Sequence, residues 1–465
     1  MKYKFFNSLL LIAVLFVVES CSKDFLERPP EGQLSEPFKD STGIAAFANG
    51  AYLDFVNNNF IGGHLQKISE LMADQLKNNF SGDDITFYNR NAQYFGAEMG
   101  DFYQQGYRVI HSGNIMLENL AQGGSNINYY EGEGKFLRGV GHFELVRMFA
   151  QPYGFTPDNS HLGIPLRVSS SLEALPRSTV KQIYDQVIAD LQSADSLLPA
   201  TPADGKYYSA TKWAAEAYLA KVYFQMNDFT NAFKYADMVI NSNKFQLDSN
   251  YSDRFSLGLS KESILRIAAA PGTNQPASEV QGSWRSDINI PYFYFTDAYF
   301  NAATSNPNDV RDTAFYSTTL QPGFNSLRKY NKDYFDYTVL HLTEMKLIRA
   351  EAGAEIANNN PSALATAIGD INDILNRASG FTGSMNIPIG STAALVISTA
   401  RTQHELEMVG EGNRLQEIKR IGVLEGTNID RRGSPWDCNG FILPFPALET
   451  ASYPGFVQNP TGGCF

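Results

Sequence analysis

Few residues of this 465-residue chain stand at spacings that bond-making chemistry requires. His404-Glu405-Leu406-Glu407-Met408 approaches a zincin helix, but methionine stands where the second imidazole would have to be. None of the six histidines has a second histidine or a cysteine at i+2, i+3 or i+4, so no zinc site is expected. Gly132-Glu133-Gly134 lacks the third glycine and the preceding strand of a dinucleotide loop, and neither Gly-x-x-x-x-Gly-Lys-Ser/Thr nor Gly-x-Ser-x-Gly occurs. Asp248 to Asp253 alternates oxygen ligands but lacks the glycine and glutamate of a calcium loop, so it reads as a turn. Asp83 and Asp84 have the chemistry of one half of a glycosidase carboxylate pair, yet in a Ser-Gly-Asp-Asp stretch they read more simply as solvated turn residues. No catalytic residue, metal or cofactor is assigned. A secreted hydrolase with carboxylates scattered along the chain stands as the alternative.

Binding chemistry is better represented. Two clusters combine flat aromatic faces with amide or guanidinium donors: Tyr88-Asn89-Arg90-Asn91 with Tyr94-Phe95, and Trp284-Arg285-Ser286-Asp287 with Tyr292 and Tyr294. Sugars present apolar ring faces that stack on such side chains and hydroxyls that bond to their polar neighbours. The candidate ligand residues are Tyr88, Arg90, Asn91, Tyr94, Trp284, Tyr292 and Tyr294. Trp284 leads, because Trp213 belongs to a helix face and Trp436 lies beside Cys438. Phe95, Phe293 and Phe295 are expected to fill a local core instead, with alternation turning one face of 292–295 to solvent.

Composition agrees with neutral ligands. Charged residues are only 18% of the chain, Asn occurs 36 times, and the net charge of -12 opposes the basic stripe that nucleic acid demands.

Around these clusters, the chain opens with Lys2 and Lys4 before a ten-residue apolar run, Leu9 to Val18, too short to span a bilayer. Ser20-Cys21 follows, the pattern of a lipoprotein site at which the thiol is acylated; cleavage by an ordinary signal peptidase is the alternative. Export permits a disulfide between the remaining Cys438 and Cys464, closing a loop of about 26 residues and contributing about 3 kcal/mol. Two separate buried thiols are the other possibility.

The elements that position the clusters read as helices. Trp213 to Phe224 and Phe229 to Ile240 carry helical spacing across a Met226-Asn227-Asp228 turn, and Leu219, Ala220, Tyr223 and Ala232 match a tetratricopeptide hairpin. A second pair runs from Met345 to Ile356 and Leu364 to Leu375. Tyr103 to Ala121, Phe136 to Val146 and Ile183 to Leu198 are also amphipathic, the last behind a Thr179/Gln182 capping box. Such pairs must stack to bury their faces, which predicts a mainly α, tetratricopeptide-like scaffold. Residues 54–101 and 245–335 escape this pattern and read as long irregular insertions, with short strands at Phe245-Gln246-Leu247 and Ser263 to Ala269.

The motifs together resemble one family. Asp24-Phe25-Leu26-Glu27-Arg28-Pro29-Pro30, Phe47-Ala48-Asn49-Gly50-Ala51-Tyr52, Arg138 to Arg147, Pro152-Tyr153-Gly154, Asp309-x-Arg311, Lys329-Tyr330, Glu344 to Ala352 and Arg377-Ala378 run along nearly the whole chain. The most specific stretch is Glu407-Met408-x-x-Glu411-Gly412-x-Arg414 with Ile418-x-Arg420-x-Gly422, Leu443-Pro444-Phe445-Pro446 and Gln458-Asn459-Pro460. This pattern resembles the SusD/RagB family of outer-membrane nutrient-binding lipoproteins, departing from it at Glu417 and in the Cys464-Phe465 end. Glu411 and Arg414, taken as three apart on one helix, read as scaffold that pairs internally or with opposing helices. The resemblance implies a signal peptide over 1–20, an N-terminal region with helical repeats over 21–227 and a C-terminal region with insertions over 228–465. It also implies an outer-membrane protein facing the cell surface, held by lipid alone. Its implied partner is a SusC-like TonB-dependent transporter, for which it captures oligosaccharides, or peptides, without cutting them.

Acylation at Cys21 has a direct test. Cys21→Ala should move the protein from the membrane fraction to the soluble one, and a variant that still partitions into detergent would mean that another anchor holds it.

Overall fold

In the computed structural model, residues 41–202, 205–272 and 276–464 are described; the expected signal peptide and Cys21 lie outside them. Helical spacing becomes a row of packed helices. The first part comprises α1 (Ser41–Phe55), α2 (His64–Met72), α3 (Gly82–Tyr88), α4 (Ala97–Glu118), α5 (Ile127–Phe149), α6 (Val180–Leu197), α7 (Lys212–Gln225) and α8 (Phe229–Asn241). Short helices α9 (Ser278–Trp284), α10 (Asp297–Ala303) and α11 (Arg311–Phe315) punctuate the large insertion. The chain closes with α12 (Leu342–Glu355), α13 (Pro361–Ala378), α14 (Ala393–Glu407), α15 (Arg414–Glu425) and α16 (Ala447–Ser452). Each long helix packs on the next, α4 on α5 through to α8 on α12, which also carries α13 and α14.

Local chemistry explains the boundaries. Thr179 Oγ1 accepts from the Gln182 N–H at 3.2 Å while Gln182 Oε1 accepts from the Thr179 N–H at 2.9 Å, the reciprocal box that starts α6. Asp228 caps α8 through the Asn231 N–H at 3.1 Å, and Pro361 opens α13, where a missing N–H costs nothing. The α4–α5 crossing is backbone on backbone: a Cβ at Gly113 would lie 2.7 Å from the Gly134 oxygen, and one at Gly141 2.6 Å from Ile110 Cγ1. Gly134 therefore belongs to a helix crossing.

Strand structure is slight. Among the described residues it consists of three two-stranded antiparallel ribbons: β1 (Leu162–Pro165) with β2 (Arg177–Thr179), β4 (Tyr316–Ser317) with β5 (Ser326–Leu327), and β3 (Ser263–Ile267) with β6 (Tyr337–His341). The ribbon of β3 and β6 pairs Ser263 with His341 and delivers the chain into α12. Cys438 and Cys464 form a disulfide.

Several expectations need correction. Phe245-Gln246-Leu247 is not a strand, although the Gln246 N–H reaches the Lys261 oxygen at 3.1 Å. The stretch 54–101 is not wholly irregular, since it contains α2 and α3. Helix α2 carries an apolar stripe at Leu65, Ile68 and Met72, but it is only nine residues long and also buries the polar His64, Gln66, Lys67, Ser69 and Glu70, so it escaped notice. The boundary at 227/228 falls in the turn between α7 and α8, which pack together; the larger hydrophobic cluster runs from Ile44 to Cys464, and a smaller one lies among α12, α13 and α14. Glu411 and Arg414 do not share a helix: α14 ends at Glu407, and Gly410 and Gly412, at φ +74° and +77°, turn the chain before α15 starts.

The signature residues make buried ion pairs. Glu407 receives Arg311 at 3.1 Å, Arg377 at 3.0 Å and Arg254 at 3.5 Å, and accepts from the Tyr251 hydroxyl at 2.8 Å. Glu262 receives Arg254 at 3.1 Å and Arg377 at 3.0 Å, and Glu411 receives Lys329 at 2.8 Å and His341 Nε2 at 3.0 Å. Burial alone would raise the Glu407 carboxyl, but the three arginines hold it below its ordinary range. Arg414 turns elsewhere, making two bonds of 2.8 Å to Asp74.

Buried carboxylates with opposite shifts shape stability against pH. Despite burial, Arg254 and Arg377 hold Glu262 down at about 2, so its contribution is present above the unfolded value of about 4.5 and is lost as pH falls toward 2. Burial instead pushes Glu133 up to about 8, with the Tyr129 and Tyr52 hydroxyls pulling it back only in part, and Glu70 up to about 7. Those two groups withdraw stability as pH rises from about 4.5 through 7 to 8. The melting temperature should therefore peak near pH about 5, and Glu133→Gln should flatten its decline toward pH 8 in a thermal-unfolding series. An unchanged slope would remove Glu133 from the explanation.

Candidate functional site

The two aromatic clusters come from insertions some 200 residues apart, and backbone pairing joins them. Leu76 and Phe295 form an antiparallel bridge, the Lys77 N–H donates to the Tyr294 oxygen at 3.0 Å, and the Thr296 N–H to the Gln75 oxygen at 2.9 Å. Alternation from this join turns Phe293 and Phe295 inward and leaves Tyr292 36% exposed. Phe80 stands between the insertions, its ring 5.4 Å from Tyr88 and 5.5 Å from Tyr292, with Phe293 beneath it at 5.6 Å.

Charge fixes this platform. The Tyr292 hydroxyl donates to Asp84 Oδ2 at 2.5 Å, and burial followed by this carboxylate raises the phenol above its usual range. Asp84 Oδ1 lies 3.1 Å from Lys67 Nζ, which also reaches Glu98 at 2.9 Å and Glu279 at 3.2 Å. Burial would lower Lys67, but Glu98, Asp84 and Glu279 hold it above its ordinary value, so it is a fixed cation. The Asn79 side-chain amide donates to the Tyr292 oxygen at 3.3 Å. Asp83 and Asp84 are thus structural partners, Asp83 accepting from the Glu98 N–H at 3.2 Å at the start of α4. The solvated-turn reading fails for Asp84, which is buried.

Of the expected ligand residues, Tyr88 and Tyr292 meet on Phe80. Tyr294 is half-buried against Phe324 at 4.9 Å. Tyr94 and Phe95 form an exposed pair at 4.3 Å, with the Tyr94 oxygen accepting from the Ala447 N–H at 3.0 Å, so they sit beside α16. Phe95, expected in a local core, is 75% exposed. Asn91 is exposed and engaged locally, its oxygens accepting from Gln93 Nε2 at 2.9 and 3.1 Å.

Two expectations are overturned. Trp284 is 0% exposed, its ring 5.2 Å from Phe293 and 5.3 Å from Phe295, and no sugar face can reach it. The aromatic run 292–295 needed a buried partner beneath it, and Trp284 at the end of α9 supplies that surface. Arg90 is buried too: it pairs with Asp430, and donates to the Met72 oxygen at 2.8 Å and the Ala73 oxygen at 3.1 Å. Sequence reasoning missed Lys67, Asn79 and Phe80. The Asn78-Asn79-Phe80 run has the same amide-and-aromatic composition as the clusters that were chosen, but Lys67 left no such signal.

The site is chemically a stacking platform bordered by amides and carboxylates, with the Arg432 guanidinium over the Tyr88 ring at 4.4 Å. Its one buried ammonium is already saturated with carboxylates.

Comparison with known proteins fits this architecture. Residues 24–224 match a family described as starch-binding, associating with the outer membrane, and residues 218–437 match the SusD family, SusD_RagB. SusD-like protein P2 of Formosa agariphila is 24% identical over 534 aligned positions, covering 99% of both chains. A SusD superfamily protein from Bacteroides vulgatus superposes with a TM-score of 0.77 at 23% identity, over 91% of this chain and 99% of that one. A SusD-like carbohydrate binding protein from the same species gives 0.69 at 22%, over 83% and 84%. Helical row, insertions and the buried Glu407-Glu411 signature thus carry one conclusion: the chain belongs to the SusD/RagB family.

Proposed function

We propose that this protein captures oligosaccharides at the cell surface and passes them to a SusC-type TonB-dependent transporter without cutting them. The observation that carries this reading is the exposed Tyr292 ring, held beside Tyr88 on Phe80 and oriented by Asp84. A ring fixed in advance loses little freedom when a pyranose stacks on it, so a weak contact is used fully. The exposed Asn79 amide beside the ring suits sugar hydroxyls. The family's description as starch-binding makes α-glucans the first sugars to test. The lipid at Cys21 would hold the protein on the outer membrane, and the transporter would do the moving.

Paired substitutions separate binding from scaffold. Tyr292→Ala should weaken oligosaccharide binding severalfold, since a stacked aromatic contributes about 1 kcal/mol beyond its burial, while lowering stability only by the about 1.5–3 kcal/mol of its bond to Asp84. Trp284→Ala should instead lower stability by about 3–5 kcal/mol in urea titration, the cost of emptying a large aromatic site. Full binding by the Tyr292 variant would move the site elsewhere. Incubation of pure protein with the bound oligomer should release no reducing ends, and pull-down from membranes should recover a large β-barrel protein; protein-dependent cleavage would replace capture by hydrolysis.

A further inference from the structure

A second cleft, sharing no lining residue with the Tyr292 platform, borders α9. Trp284 closes one end of that helix under Phe293, whereas Ser278 and Gln281 of the same helix line a cleft of about 1170 Å³. This exceeds the roughly 300–1,000 Å³ of ordinary small-ligand pockets, so it suits an extended ligand. Its walls come from the end of α1, the 208 turn, the end of β3 and residues 333–334.

The lining combines stacking surfaces with unused polar groups. Tyr52, Tyr208 and Tyr334 supply the rings, and Leu53, 71% exposed, and Val56 extend the apolar wall. Tyr52 is fixed from behind: its hydroxyl accepts from the Ala210 N–H at 2.7 Å and bonds to the buried Glu133, which points its polar end inward and leaves its ring to the cleft. Arg266 lies over the Tyr208 ring at 5.1 Å. Asn57 Oδ1 accepts from the Asn59 N–H at 2.9 Å, and its amide nitrogen has no partner among the described residues. The same holds for the Tyr334 hydroxyl. Gln281 spends only its nitrogen, on the backbone at 332 and 333, and Asp333 binds Arg285 at 2.7 Å through one oxygen only. Donors and acceptors of both kinds therefore face an aromatic cleft without a free cation among its lining residues.

We propose that this cleft is a second binding site for a neutral oligosaccharide, separate from the Tyr292 platform, so that one glycan chain or two can be held at once. The proposal rests on the glycan-capture reading above and extends it. Two weak contacts on one rigid body raise the effective concentration of a long glycan at each, which gives retention without a tight single site.

The test uses the full mature protein and a panel of neutral hexasaccharides: maltohexaose, cellohexaose, xylohexaose and laminarihexaose. Amide hydrogen exchange at saturating sugar should show slowed exchange at residues 50–58 and 205–210 as well as at 77–88 and 288–294. Leu53→Arg, at an exposed position that folding does not use, should abolish protection of the first pair of segments and spare the second. Tyr334→Ala should weaken the same contact about fivefold or more, and Tyr292→Ala should do the reverse. Protection confined to 77–88 and 288–294, with both cleft variants silent, overturns the second site and leaves glycan capture standing. Protection confined to the cleft makes it a single site, which overturns both the two-site proposal and the Tyr292 platform and leaves glycan capture standing. Absence of binding by every sugar overturns both.

Discussion

Glu407 is the point at which the irregular half of this protein is tied to its helical half. Arg377 comes from α13, Arg311 from the short α11, Arg254 from the turn before β3, and all three converge on one carboxylate at the end of α14. Adding Glu262, Glu411, Asp309 and Lys329, the cluster holds four cations against four anions. Their desolvation is large and the mutual attraction offsets it only if every partner is present, so removal of one typically costs about 3–5 kcal/mol. A buried balance of this kind adds little net stability over an apolar core. Its effect is geometric: the insertion from 245 to 335 can dock in only one way.

The same device recurs along the row. Between α15 and α12, Arg420 reaches both oxygens of Glu351 from Nη2 alone, at 2.9 and 3.0 Å; Arg138 makes two bonds of 2.7 Å to Asp190 between α5 and α6, and Arg349 grips Asp370 between α12 and α13 at 2.6 and 2.8 Å, each through Nε and Nη2. Bidentate geometry of this sort sets direction as well as distance. Small residues let the helices approach, and the forks keep them from sliding. A rigid wall follows, on which the loops can carry rings in fixed positions.

On the proposed reading, that rigidity serves ligand capture. Sugar binding by stacking is weak, and a millimolar site corresponds to only about 4 kcal/mol, so freedom lost by a loop would consume much of it. Here the aromatic hydroxyls are committed before any ligand arrives: Tyr292 to Asp84, and Tyr52 to Ala210 and Glu133. Asp84 is in turn held by Lys67 on α2, the helix that also presents Glu70 to the Gly412 N–H at 2.7 Å. The platform is therefore joined to the signature turn through one ion pair, helix α2 and one hydrogen bond.

What could be read in the chain itself was periodic or short in range. The hairpin of α7 and α8, the capping box at Thr179 and the second hairpin of α12 and α13 all follow from neighbours three or four residues apart, and so do their observed bounds. Family motifs were legible because their residue types are uncommon in that order. Long-range pairing was not legible. Trp284 and Tyr292 have similar local surroundings in sequence, and only the packing of α9 under 293–295 made one core and the other surface. Arg90 looks like a ligand donor until Asp430, 340 residues away, neutralises it. Helix α2 hid because it is short and buries Lys67 and Glu70 beside its apolar residues, and charge says inside only when its partners are known. Tertiary structure decided which aromatics face water, because exposure depends on what the rest of the chain places on top.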